Sequence, residues 1–218
     1  MGADLGKKSY FKLVMFFTLS SIFCFCMSIV RYAATDKTTF LSLNWNLFLA
    51  FVPWLVSMIL IIKKQTNKIV LIILMFIWVI FFPNAPYILT DLFHLTPQRF
   101  PPIWYDLILL LSYAWTGLMF GFVSLLNIET ILVRHINARI VDLTSALLLF
   151  IASFGIYLGR YLRWNSWDLI SNPLAIFSDI LKIFSSPFNY QRAWGVTILM
   201  GLMLNMMYLS IKLLNVKK

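Results

Sequence analysis

Long apolar runs separated by short polar segments dominate the sequence. Six of them can be delimited, and they cover approximately residues 13–30, 41–62, 69–89, 103–126, 140–160 and 194–214. A helix needs about 20 mostly apolar residues to cross the hydrocarbon core of a bilayer. Runs of this length are too long for strands and lack the alternation of a half-buried strand. The pattern therefore predicts an all-α, polytopic integral membrane helix bundle of about six spans, which forms a single transmembrane domain over residues 1–218.

The third run is interrupted near its end. It stays apolar from Ile69 to Phe82 and then meets Pro83 and Pro86, so that about 21 Å of helix stands against a hydrocarbon core of about 30 Å. Proline lacks a backbone N–H and disrupts the preceding turn. Irregular backbone inside a membrane is tolerated only against protein or a water-lined cavity. Two interpretations stay open, a kinked or terminated helix that tilts into the interface and a break that lines a cavity.

The longest connection joins the fifth and sixth spans. Within it, Asn172 can cap a helix that opens with Pro173 at its first position. The apolar residues of that helix share one face, which comprises Leu174, Phe177, Ile180, Leu181 and Phe184. This pattern favours a helix that lies in the membrane interface, with a partly re-entrant segment as the alternative.

Composition supports the membrane assignment, because 61% of the residues are hydrophobic and only 12% are charged. A soluble domain holds about a quarter charged residues. The net charge of +10 does not indicate nucleic-acid binding, since the basic residues stand in small groups at the ends of apolar runs. Cys24 and Cys26 lie within the first span, two residues apart, which disfavours a disulfide between them.

The distribution of Lys and Arg predicts the orientation. Eleven of the eighteen basic residues lie on the side that holds both termini, and seven lie on the other side. Because cytoplasmic loops carry the excess of Lys and Arg, we expect both termini in the cytoplasm. On that side, we expect Glu129 and Asp142 to lie in a solvated loop and at the helix ends beside it.

Three polar strings interrupt the apolar pattern, and the predicted topology brings all three to the outer face. The first string is FPNAPYILTDLFHL, residues 81–94, and the second is WYDLILLLSYAWTG, residues 104–117. The third is GIYLGRYLRWNSWD, residues 155–168. We therefore expect a polar site at the extracytoplasmic face.

Titratable residues within the strings suggest two kinds of chemistry. Asp91, His94 and Asp106 could converge as metal ligands or as a catalytic acid and base. The more conservative interpretation is an ion pair of Asp91 or Asp106 with Arg160 or Arg163, because an unpaired charge near hydrocarbon is costly. No HExxH, GxSxG or glycine-rich phosphate loop is present in the sequence.

The third string also resembles a headgroup-binding surface. Arg160 and Arg163 can donate paired hydrogen bonds to an anionic lipid, with Trp164, Asn165 and Trp167 beside them. Simple anchoring of the helix end at the interface is the alternative. In the second string and beyond it, Gly117 and Gly121 form a GxxxG, which favours close helix packing within the chain.

In their order and amino-acid residues, the three strings resemble those of the bacterial membrane family known as domain of unknown function 1361. The resemblance implies a multi-pass protein of the bacterial cytoplasmic (inner) membrane and implies no activity, since the family is uncharacterised. The motif positions are Asn84, Pro86, Tyr87, Thr90, Asp91, His94, Tyr105, Asp106, Arg160, Arg163, Asn165, Trp167 and Asp168.

Three functions are compatible with these observations. The first is an enzyme or lipid-handling protein in which Asp91, His94 and Asp106 are catalytic. In it, the residues that bind a substrate or headgroup are Asn84, Tyr87, Arg160, Arg163, Asn165 and Asp168. The second is a small transporter that uses the broken third span, and the third is a structural or assembly subunit of a membrane complex. The sequence specifies neither a cofactor nor an oligomeric state; the expected partners are the lipid bilayer and either an anionic lipid or another membrane protein.

Overall fold

The computed structural model describes residues 2–63, 67–96 and 102–216, and this part of the chain is helical with no strand. The helices are α1 (Gly2–Thr35), α2 (Ser42–Ile62), α3 (Lys68–Phe81), α4 (Asn84–Tyr87), a 3-10 helix (Ile88–His94), α5 (Ile103–Leu132), α6 (Ala138–Tyr161), α7 (Asp168–Ser171), α8 (Pro173–Ser185) and α9 (Gln191–Val216). Four basic residues of the topology count, Lys64, Arg99, Lys217 and Lys218, lie outside the described residues.

In the described part of the chain, six stretches of helix are long and apolar enough to cross a membrane. They are Tyr10–Thr35, Ser42–Ile62, Lys68–His94, Ile103–Leu132, Ala138–Tyr161 and Gln191–Leu214. Each overlaps one of the six predicted runs, so the all-α polytopic bundle is confirmed. Helices α1 and α5 extend past their apolar runs, and these extensions carry Arg31 and Glu129, whose side chains form ion pairs within the protein.

The central helix of the bundle is α5. Two thirds of the 18 most apolar consecutive residues of α5 are buried within the protein, against 17% of the corresponding residues of α1 and 22% of those of α9. It packs most extensively against α2, while α9 packs chiefly against α6. Large apolar side chains of the peripheral helices, such as Phe11 and Leu199, face outward, as expected of a surface that contacts lipid.

The GxxxG of α5 receives the segment that follows the break in the third span. A Cβ built at Gly117 would lie 2.7 Å from the side chain of Ile88, and one at Gly121 would lie 2.8 Å from Cβ of Ala85. Both neighbours are buried. The glycines therefore serve packing within the chain, as predicted.

The proline break is present where the sequence predicted it. Helix α3 ends at Phe81, a turn follows, and α4 and the 3-10 helix carry the chain on to His94. Pro83 lies at the turn and Pro86 is buried within α4. The segment is thus neither a continuous helix nor a loop, and it packs against α2, α5 and α6.

The helix predicted between the fifth and sixth spans is also present, as α8. Pro173 occupies its first turn as expected, but the Asn172 side chain makes no capping hydrogen bond. The backbone of Asn172 has φ −145° and ψ 57°, and its carbonyl instead accepts the backbone N–H of Ile176. Most of the predicted apolar face is exposed, with Leu174 at 81%, while Ile176 and Ile183 anchor the opposite side in the protein.

One further correction concerns the end of the bundle that holds the chain termini. Glu129 is buried rather than solvated, and Lys212 of α9 donates to it at 2.5 Å and to Asp142 of α6 at 2.7 Å. This network joins α5, α6 and α9. It explains why α5 continues as helix beyond the predicted end of its span.

Candidate functional site

The three strings meet at one end of the bundle, which we call the motif end. It is the end at which the spanning helices have the boundaries Thr35, Ser42, His94, Ile103, Tyr161 and Gln191. Alternation of up and down helices brings these boundaries together. The polar residues of the strings form two kinds of structure there, ion pairs between helices and a pocket.

The first structure is an ion pair between Asp91 and Arg160, one of the pairs expected from the sequence. Arg160 Nη1 donates to Asp91 Oδ1 at 3.0 Å, and Arg160 Nη2 donates to the carbonyl of Thr90 at 2.9 Å. The second carboxylate oxygen accepts from Asn46 Nδ2 at 3.1 Å. Both ionic side chains are largely buried, at 12% and 8% exposure. The pair therefore fastens the 3-10 helix to α6 and α2.

Asp106 has a partner that the sequence interpretation missed. Arg31 of α1 donates through Nε at 2.7 Å and through Nη2 at 3.1 Å to the two oxygens of Asp106, so the pair is bidentate. The guanidinium also lies over the ring of Phe40 at 4.3 Å. Nearby, the Tyr105 hydroxyl donates to the carbonyl of Met27 at 2.9 Å. The second string thus fastens α5 to α1.

The alternative in which Asp91, His94 and Asp106 converge as metal ligands is not found. In the described ranges, no group of three His, Cys, Asp or Glu side chains is placed to hold an ion. The reason is that each carboxylate is bound by an arginine, while His94 is exposed at the end of the 3-10 helix. A catalytic role for the three residues stays a prediction.

The second structure is a pocket of about 170 Å³ at the proline break. Its walls come from the start of α2, the break itself, the end of α6 and the segment that leads into α8. The lining residues are Trp45, Asn46, Leu49, Ile80, Pro83, Asn84, Tyr87, Gly155, Leu158, Gly159, Trp164, Asn165, Ser166, Trp167, Leu169 and Ile176. The interpretation in which the break lines a cavity is therefore the one that the structure supports.

The polar lining of the pocket consists of amides and hydroxyls. Asn84 Nδ2 donates to the carbonyl of Phe81 at 3.0 Å and to Ser166 Oγ at 2.9 Å, which joins the first string to the third. Asn165 donates to Asp168 Oδ2 through its backbone N–H at 2.7 Å and its side chain at 3.2 Å. Asp168 thereby orders the turn that carries Asn165.

Aromatic side chains form much of the remaining wall. Trp164 is held in place by a hydrogen bond from its Nε1 to Asp179 of α8 at 3.2 Å. Asp179 also accepts from Lys182 at 3.0 Å, and this hydrogen bond raises the pKa of Lys182. Trp45 and Trp167 are about half exposed, and Tyr87 lies in van der Waals reach of Gly159.

The residues predicted to bind substrate are only partly brought together. Asn84, Tyr87 and Asn165 line the pocket. Arg160 and Asp168 instead position lining residues through the hydrogen bonds described above. Arg163 does neither: it is exposed and makes no ion pair within the described part of the chain. Its backbone has a left-handed φ of 61°.

Sequence reasoning missed three polar or aromatic lining residues, Trp45, Asn46 and Ser166. The available signal was Asn46 itself, an amide within the first turns of an apolar span. A polar side chain at such a position is expected to have a hydrogen-bond partner within the bundle. Trp45 and Ser166 carried no signal of their own, because tryptophan and serine are common near membrane boundaries.

Six apolar spans and the absence of strands, both in the described ranges, define a multi-pass helical membrane protein. Within that class the chain belongs to the family described as Protein of unknown function (DUF1361), whose sequence profile matches residues 45–207, about three quarters of the chain. No curated protein and no solved structure matches the chain.

Proposed function

We propose that this protein binds the polar headgroup of a lipid or another membrane amphiphile in the pocket at the motif end. One observation carries the proposal: the break in the third span contributes Pro83, Asn84 and Tyr87 to a cavity that polar side chains partly line. Irregular backbone and polar side chains are costly at membrane depth. A ligand that uses both gives them a function.

Binding is better supported than catalysis. Asp91 accepts hydrogen bonds on both oxygens, and Asp106 is engaged on both by Arg31. A general acid or base must reach a reacting atom with an available oxygen. The paired carboxylates therefore support a role in holding the pocket and the bundle together.

The excess of Lys and Arg on the side of the termini supports a location of the pocket at the extracytoplasmic face of the membrane. Together with the family membership, it favours the bacterial cytoplasmic membrane as the site of action. A headgroup in the outer leaflet would then lie at the same depth as the pocket.

Native mass spectrometry of the purified protein tests the proposal. The protein is extracted in a detergent without lipid-like headgroups and offered a defined lipid mixture, and the wild type is compared with Trp167→Ala. Trp167 lines the pocket and has a half-exposed side chain, so its removal should spare the fold. The matched control is Trp104→Ala, since Trp104 is exposed at the same end of the bundle but lies outside the pocket.

We expect the wild type and Trp104→Ala to retain one lipid per chain and Trp167→Ala to lose it. Equal retention by all three proteins would show that the bound lipid does not occupy the pocket. That result would reject the proposed function.

A further inference from the structure

The hydrogen-bond network around the pocket fixes the orientation of three lining amides. Asn46 and Asn165 donate through Nδ2 to the carboxylates of Asp91 and Asp168, and Asn84 donates through Nδ2 to a backbone carbonyl. These acceptors carry no proton to donate, so the NH₂ group must face them. The free atom of each amide is therefore its carbonyl oxygen, which among the described residues accepts no hydrogen bond.

Among the described residues, no cationic side chain lines the pocket. Arg160 is bonded to Asp91, which also binds the lining amide of Asn46, and to the carbonyl of Thr90, so its guanidinium is already engaged. A phosphate or carboxylate only accepts hydrogen bonds and binds most strongly to charged donors. A pocket with three free amide oxygens and no cation disfavours such an anion, and it favours a ligand that donates.

Aromatic rings supply the apolar surface that such a ligand would contact. Trp45, Tyr87, Trp164 and Trp167 all line the pocket. The flat C–H faces of a sugar ring pack against tryptophan and tyrosine, while its hydroxyls donate to amide oxygens and accept from indole N–H and phenol O–H groups. In the described part of the chain, the indole N–H groups of Trp45 and Trp167 and the hydroxyl of Tyr87 make no other hydrogen bond.

Charge separates a sugar from a small ammonium headgroup, which would also donate hydrogen bonds and contact aromatic rings. A cation that leaves water is best stabilised by a carboxylate partner, and among the described residues no Asp or Glu lines the pocket. An uncharged sugar needs no such partner.

We infer that the pocket binds one uncharged hexose ring, as the headgroup of a glycolipid or as a free sugar. This inference rests on the proposed function, because it names the chemistry of the ligand for the same pocket. It also changes the expectation from the sequence, in which the arginines of the third string were to bind an anion. Here Arg160 positions the site, and the sugar is held by amides and rings.

Competition between defined lipids tests the inference. The protein is purified in a polyoxyethylene detergent, since maltoside and glucoside detergents carry the proposed ligand themselves. Equal amounts of monoglucosyl diacylglycerol, phosphatidylglycerol and phosphatidylethanolamine with identical acyl chains are added, and the retained lipid is identified by native mass spectrometry. Methyl glucoside is titrated separately against the lipid-free protein by microscale thermophoresis.

Two variants test which side chains of the pocket contribute to glucolipid binding. Tyr87→Phe removes one hydroxyl and keeps the ring, so glucolipid should bind about five-fold more weakly. Trp167→Ala removes a stacking surface and should weaken glucolipid binding by at least about ten-fold. Trp104→Ala should bind as the wild type does. Thermal melting of each variant verifies that the fold is intact.

The outcomes are distinguishable. Retention of the glucolipid alone, with the stated variant effects, supports the inference. Binding of methyl glucoside to the lipid-free protein then identifies a free sugar as sufficient, and no binding identifies the glycolipid. Preferential retention of phosphatidylglycerol or phosphatidylethanolamine that Trp167→Ala abolishes would overturn the sugar inference and leave the proposed function standing. Lipid retention that no pocket variant changes would overturn both.

Discussion

Individual charged side chains at the motif end are stabilised by partners on distant helices. The clearest case is Arg31, which is 1% exposed and bonded to both oxygens of Asp106. A buried ion whose partner is removed costs far more than the pair contributes, because the remaining charge stays desolvated. The pair is therefore a point at which a single substitution should have a large effect.

Asp106→Asn should lower the free energy of unfolding by about 3–5 kcal/mol. The double variant Arg31→Met with Asp106→Leu should recover most of that loss, because no unpaired charge remains buried. Thermal melting followed by size-exclusion chromatography in detergent measures both effects. Equal melting temperatures for the wild type and Asp106→Asn would mean that the pair contributes nothing to the fold.

Arg163 presents the opposite case, a residue held in an unfavourable backbone conformation. Its φ of 61° costs an L-residue roughly 1–2 kcal/mol relative to glycine. Arg163 is exposed and has no ion-pair partner within the described residues, so Arg163→Gly should stabilise the protein by about 1 kcal/mol. Arg163→Ala is the control, since it removes the side chain and keeps the strain. A lower melting temperature for the glycine variant would reveal a stabilising contact of the arginine side chain.

At the scale of helices, the break in the third span depends on close packing against α5. The neighbour of Gly121 is Cβ of Ala85, an atom that cannot rotate away. Gly121→Ala should therefore destabilise the bundle by about 1–3 kcal/mol, the usual cost of overpacking. Gly195→Ala is a matched control, because nothing lies within 4 Å of its Cβ position and alanine favours a helix. Melting temperatures of the two variants should shift in opposite directions.

The exposed face of α8 makes a prediction about membrane depth. Leu174 and Phe177 are exposed on the apolar face, and Ser178 and Lys182 are exposed on the polar face. Spin labels on the apolar pair should collide more with oxygen, which concentrates in lipid, than with a water-soluble nickel chelate. Labels on the polar pair should show the reverse. The same ratio at all four positions would exclude an interfacial helix.

The sequence predicts the spanning helices, the break in the third span and helix α8, because each depends on residues that are close together in the chain. The apolar runs, Pro83 and Pro86 in the third span and Pro173 at the start of α8 each act within a few residues of their own position. The partners of buried charges were not readable in the same way. The sequence predicts an ion pair of Asp91 or Asp106 with Arg160 or Arg163. Asp91 does pair with Arg160, yet Asp106 pairs with Arg31, 75 residues away. Sequence spacing does not reveal which helices are neighbours.

The same limit applies to the pocket. Asn84, Tyr87 and Asn165 were expected at the site, but Trp45 and Asn46 joined it from α2. The sequence also does not predict that the guanidinium of Arg160 donates its hydrogen bonds to Asp91 and to the carbonyl of Thr90. The availability of a side chain for a ligand depends on its hydrogen bonds, which only the folded arrangement determines.

For the molecule as a whole, the orientation in the membrane is the property that the fold does not fix. We expect the motif end to face away from the cytoplasm, because Lys and Arg are in excess at the other end. In a background with both native cysteines replaced by alanine, Thr39→Cys should react with a membrane-impermeant maleimide added to intact cells. Ile136→Cys should react only after permeabilisation; both positions are exposed at helix connections. The reverse pattern would invert the proposed topology.

The separation of Arg31 and Asp106 along the chain has a consequence for synthesis. Asp106 is added 75 residues after Arg31, and at about 5–20 residues per second the interval lasts roughly 4–15 seconds. During that time the first span must hold its arginine without the carboxylate, at a helix end where a long side chain can reach the lipid headgroups. The first span thus enters the membrane as an incomplete part. We expect the later arrival of α5 to supply the carboxylate with which Arg31 is buried in the finished bundle.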